Sequence, residues 1–172
     1  VLAKEYPIVK KLLENPDVKR KIPPSGKFLW GNQFESAQDE TGSFMEYRQL
    51  YYVSADPEIS GGMIREPKAT MGSAGTDASG RWVVNLSMSS EGTKKWSRFT
   101  GANVNRQVAI VLDNKVFMAP VIRDKIPTGQ TQVTGFSDVN EAKDIANVLR
   151  AGELPAPVNI IEERTVGPSL GS

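Results

Sequence analysis

Val108-Ala109-Ile110-Val111-Leu112 is the longest apolar run in the chain, and Asp113-Asn114 closes it at once. A second β-prone stretch, Lys115 to Ile122, follows directly. Two residues that tolerate positive φ, set between two such runs, meet the demand of a tight hairpin turn. The apolar run is far shorter than the roughly 20 residues that span a bilayer. Around the hairpin, helix and strand signals mix without regular βαβ alternation. The expected fold class is therefore α+β rather than a doubly wound sheet.

Leu2, Tyr6, Val9, Leu12 and Leu13 recur at helical spacing, with Pro7 tolerable in the first turn and Asn15-Pro16 as the stop. Pro23-Pro24-Ser25-Gly26 breaks the chain before a short strand over 27–30. Gln33 to Ser43 is polar and reads as loop, and 46–54 reads as one aromatic-rich strand. Turn residues at Asp56-Pro57 and Gly61-Gly62 precede a strand over 68–74 and a loop over 75–80. The spacing predicts a strand over 82–88 with Trp82, Val84, Leu86 and Met88 on one face. A helix from about Ser90 to Asn103 follows, capped by Ser89 or Ser90, with Gly92, Trp96, Phe99 and Asn103 inward. After a short strand over 130–134, Asp138 stands three residues ahead of Glu141 and opens the last helix. Its buried stripe is Val139, Ala142, Ile145, Ala146 and Leu149; Gly152 stops it, 154–157 is a stiff connector and 158–166 a final strand.

The residue types exclude much chemistry. With neither Cys nor His, the chain has no disulfide, thiol nucleophile or imidazole base, and almost no means of binding zinc. No S-x-x-K motif supplies a lysine base, and the glycine loops lack both phosphate-binding patterns. Glu162 and Glu163 are adjacent on a strand, so they face opposite sides and cannot share a site. Lys and Arg number 21 against 20 Asp and Glu, which gives no bulk basicity for nucleic acid. The expectation is a non-enzyme without cofactor or metal; a small hydrolase is nearly excluded.

Four segments carry a resemblance. They are Ala109 to Val116, Ala119-Pro120-Val121-Ile122, Val148-Leu149-Arg150-Ala151-Gly152-Glu153-Leu154-Pro155-Ala156-Pro157, and Ile161-Glu162-Glu163-Arg164-Thr165-Val166-Gly167-Pro168-Ser169-Leu170-Gly171. With the junction Asn85 to Gly92, they resemble the SecD family of protein-export membrane proteins over about half the chain. Asn114 stands where the family usually has Gly, and Phe117-Met118 replaces a smaller pair. The resemblance implies a fragment of the first large periplasmic domain, with a head subdomain of mixed strands and helices inserted in an incomplete ferredoxin-like base. On that basis 46–56 and 136–172 are base elements and 57–135 is the head. Residues 1–45, an N-terminal helix and loop, match no common part of the family and read as a lineage-specific insertion.

The resemblance further implies a place in a bacterial inner membrane, with this domain on the periplasmic side. Its implied partners are SecF, SecYEG and the emerging unfolded preprotein, drawn outward by the proton-motive force. The charges that carry protons belong to membrane spans that this chain does not contain. The expected part for such a domain is to hold preprotein and swing; the alternative is a scaffold for the assembly that never touches it. Gripping an unfolded chain without sequence preference calls for adaptable apolar side chains or an open strand edge. The candidates are Met63, Ile64, Met71, Phe117 and Met118. Strand alternation predicts that only one of Phe117 and Met118 faces inward. Ala55, Asp56, Pro57, Gly135 and Phe136 are the expected hinges.

Overall fold

The computed structural model describes residues 1–151 and 158–165. The expected stop at Gly152, the connector 154–157 and the end of the signature from Val166 onward lie outside these residues. The chain begins with α1 (Tyr6–Glu14) and α2 (Pro16–Lys19), then β1 (Gly26–Gly31), β2 (Glu35–Gln38), β3 (Phe44–Tyr47) and β4 (Leu50–Ser54). It continues with β5 (Ile59–Ser60), a 3-10 turn at Gly61–Met63, β6 (Ile64–Met71), β7 (Trp82–Met88) and α3 (Ser90–Ala102). It ends with β8 (Val108–Leu112), β9 (Lys115–Met118), β10 (Thr131–Val133), α4 (Val139–Ala151) and β11 (Val158–Thr165).

One sheet runs in the order β4-β1-β9-β8-β11-β5, and β11 also pairs back onto β4 through Glu163 with Val53 and Thr165 with Tyr52. Strands β4, β1, β9, β8 and β11 therefore close into a small barrel, which removes their free edges. Leu29, Val53, Ala109, Val111 and Val116 form one core cluster of that barrel. Val108 and Ile110, which alternate with Ala109 and Val111, belong instead to the larger cluster on the other side of the strand. Both faces of β8 are thus covered, which is why the sequence reads as an unbroken apolar run. Asp113 (φ 52°) and Asn114 (φ 59°) form the expected left-handed turn between β8 and β9.

The second sheet is antiparallel, in the order β10-β7-β6, with α3 packed against β5 and β7 and α4 against β6 and β7. Val84, Leu86, Trp96, Phe99, Ile145 and Leu149 share its core with the outer face of β8. Fully burying one such side chain contributes roughly 1.5–3 kcal/mol. The helix ends follow the sequence closely. Ser89 Oγ accepts the Gly92 N–H at 3.1 Å, and Asp138 Oδ1 accepts the Glu141 N–H at 2.9 Å. Glu141 reaches back to the N–H and hydroxyl of Ser137, both at 2.8 Å, completing a capping box one residue earlier than the usual partner.

Several expected elements differ, among them the strand expected to run to Ile122, which stops at Met118. The polar stretch 33–43 contains β2, which forms a solvent-exposed hairpin with β3. The single strand expected over 46–54 is two, parted at Arg48-Gln49, where the chain passes from that hairpin into the barrel. Strand β6 starts at Ile64, ahead of the expected Lys68, because a bulge at Glu66 (φ 50°) carries the chain past Pro67.

Residues 1–31 are built into the fold through β1, a central strand. On α1 only Val9 is buried, although the stripe of five apolar residues predicted more. The helix is held by aromatic contacts instead. The Tyr6 ring meets Trp30 edge-on at 4.7 Å and Phe34 at 5.2 Å. The Arg48 guanidinium lies 5.1 Å from the Tyr6 ring and donates to the Tyr6 hydroxyl at 2.9 Å and to the Gly31 carbonyl at 2.8 Å.

Candidate cargo cleft

A cleft of about 1010 Å³ opens between the small sheet, the outside of the barrel and α3. Its accessible apolar lining is Trp82, Met118, Val121 and Phe136, and the core residues Leu86, Trp96, Ile110 and Leu149 lie buried directly behind it. One wall is formed by every residue from Thr131 to Ser137, the other by every residue from Met118 to Asp124. The exposed rim carries Asp77, Arg81, Arg123 and Asp124, two charges of each sign.

Both walls are held rigidly. Trp96 Nε1 donates to Thr131 Oγ1 at 2.9 Å, tying β10 to α3. The Thr100 hydroxyl, wholly buried, donates to the Trp96 carbonyl at 2.8 Å and accepts the Ile126 N–H at 2.9 Å. The second wall pairs back on the barrel through Val108 N–H to the Pro120 carbonyl at 2.9 Å and Ile122 N–H to the Arg106 carbonyl at 2.8 Å. A cleft with fixed walls, an apolar lining and a charge-balanced rim suits an uncharged, partly apolar occupant.

Of the residues singled out in the sequence for contact, only Met118 lines this cleft. Met63 and Phe117 are half-buried against the core, Ile64 is fully buried, and Met71 is half-exposed at the end of β6. Phe117 and Met118 both pack against the same core, contrary to strand alternation. The cause is a bulge: Val111 opposes Val116 while Ile110 opposes Met118, which leaves Phe117 as an extra residue and resets the phase. Among the expected hinges, Ala55 N–H donates to the Ser25 carbonyl at 2.9 Å, and Ser54 Oγ to the Asp56 carbonyl at 3.1 Å. Gly135 (φ 98°) and Phe136 line the cleft. Trp96 lies in the core as its helical spacing predicts, whereas nothing in the sequence marks β10 or 119–124 as walls. A wall assembled from distant segments has no local signature.

Comparison with known proteins decides the family. The family model for the P1 head subdomain of SecDF matches residues 32–156. The chain belongs to the SecD/SecDF family. Protein translocase subunit SecD of Rhodothermus marinus is 42% identical over 166 residues, 95% of this chain and 25% of that protein. Protein translocase subunit SecDF of Thermus thermophilus is 42% identical over 115 residues, 67% of this chain and 15% of that protein. A crystal structure of SecDF from Thermus thermophilus, described as a translocon-associated membrane protein, matches with a TM-score of 0.52 at 39% identity, covering 70% of this chain and 17% of that one. The chain thus spans about a quarter of the first relative's length. The α+β class expected from the sequence is the class observed, and the SecD resemblance matches the family found. Among the described residues no helix is long and apolar enough to cross a membrane.

Proposed function

We propose that this SecD/SecDF head domain grips unfolded preprotein in the cleft beside Met118, on the periplasmic side of a bacterial inner membrane. There it acts with SecF and SecYEG while the proton-motive force drives translocation. The observation that carries this reading is the cleft itself: an apolar lining under a rim of balanced charge holds apolar side chains without selecting a sequence. Met118 supplies the adaptable contact. Phe117 and Met63 support it from the core, and Met71 offers a separate exposed contact.

Motion is part of the proposal, with a physical limit. Ala55, Asp56 and Pro57 on one crossing, and Gly135 and Phe136 on the other, are the proposed hinges. Swinging 57–135 as one body would tear β8 from β11 and β9 from β1, which are hydrogen-bonded neighbours. The hinges therefore open the cleft by moving one wall against the other, each wall staying rigid within itself and β8 and β9 staying in the barrel. Photocrosslinkers at Met118, Val121 and Gln132 of the full-length protein, facing a stalled preprotein, test the reading. Crosslinks from these positions in preference to Phe44 are expected. Their absence at all three leaves a scaffold that does not touch preprotein.

A further inference from the structure

Strand β10 is the outermost strand of its sheet, paired with β7 alone among the described residues. Successive residues of a strand point to opposite faces, so a cleft touching only one face would meet every second residue. Here Thr131, Gln132, Val133 and Thr134 all line it. The cleft therefore runs along the edge of the strand, where main-chain N–H and C=O groups point sideways.

The two edges of this sheet are treated differently. On β6, the bulge at Glu66, Pro67 inside the strand and the flanking charges of Arg65 and Lys68 are the features that keep another chain from pairing. The Pro67 carbonyl is also taken by Arg150 Nη2 at 2.9 Å. On β10 there is no proline, bulge or charge from Gly129 to Ser137. One edge is closed to pairing and the other is open, and the open one borders the cleft.

We infer that the cleft captures its occupant as an added antiparallel or parallel strand on the free edge of β10, through main-chain hydrogen bonds. This rests on the proposed grip of unfolded polypeptide and specifies its chemistry. The occupant is an extended polypeptide of no net charge, which complements a rim where Asp77 and Asp124 offset Arg81 and Arg123. Its alternate side chains reach the half-buried Trp82 and Met118 of the cleft lining. Pairing through the backbone explains how a cleft can hold many sequences, because every residue except proline presents the same donor and acceptor.

The test uses three peptides with the 172-residue chain: Ac-Lys-Thr-Val-Thr-Val-Thr-Glu-NH2, and two versions N-methylated at alternate residues, one set on each edge of the strand. Binding is read by fluorescence anisotropy, and the site by protection of the 131–134 amides from hydrogen exchange. The unmodified peptide should bind and protect those amides. Methylation of one edge should weaken binding about tenfold or more, since it removes several main-chain hydrogen bonds at once, and methylation of the other should change it little. Equal binding of all three peptides, or binding without protection at 131–134, overturns strand addition and leaves side-chain gripping intact. If none binds and a permanently unfolded polypeptide also fails to bind, the grip itself is overturned along with it.

Discussion

At the scale of single residues, Thr100 links the helix behind the cleft to one of its walls. Its hydroxyl has no access to water and satisfies both the Trp96 carbonyl and the Ile126 N–H. Thr100→Val keeps the shape and strands both partners, so urea unfolding should show a loss of about 1–3 kcal/mol, whereas Thr100→Ser should lose much less. Asp39 presents a different case, at the tip of the β2–β3 hairpin. The Thr41 hydroxyl at 2.6 Å, then the Ser43 N–H at 2.9 Å, hold its carboxyl below the usual carboxylate value. A lowered folded value means the carboxylate supports the turn in full above the ordinary value, and that support disappears as pH falls through the depressed one. Cross-strand NMR contacts between Gln38 and Phe44 should therefore fade on acidification, while the barrel signals persist. Hairpin and barrel signals fading together would refute this.

At the scale of elements, punctuation was legible and register was not. Asp113-Asn114 announced a turn that requires positive φ at both positions, and both have it. Asn114→Gly should be neutral or stabilising, and Asn114→Val should cost about 1–2 kcal/mol in thermal or chemical denaturation, because a branched L-residue resists that conformation. Asp138→Ala should cost about 1 kcal/mol by the loss of its bond to the Glu141 N–H. The β2–β3 hairpin has no signature in the sequence because Glu35-Ser36-Ala37-Gln38 has no apolar face; its strands are exposed and are held by turn and cross-strand bonds. The Phe117 bulge has no sequence signature for another reason. It exists only in the pairing of β9 with β8, and a strand's own residues do not state where its partner slips.

At the scale of the whole molecule, two cores share one strand. Strand β8 offers Ala109 and Val111 to the barrel and Val108 and Ile110 to the core beneath the cleft. The barrel thereby becomes a fixed support for one wall of the cleft, and the small sheet supplies the other. The α+β class and family could be read from hairpin, caps and signature segments; the cleft could not, because its walls meet only after β7, 118–124 and β10 converge. The central claim is that this convergence grips disordered polypeptide. Trp82, half-buried, lines the cleft, Trp96 lies buried directly behind it, and Trp30 lies apart beside Tyr6. In a Trp30→Phe background, titrating the chain with a tryptophan-free protein held unfolded by reduction and alkylation of its disulfides should give a saturable change in tryptophan emission that the same protein, folded with its disulfides intact, does not produce. An emission spectrum that stays flat with the unfolded form, or moves equally with both, would contradict the account.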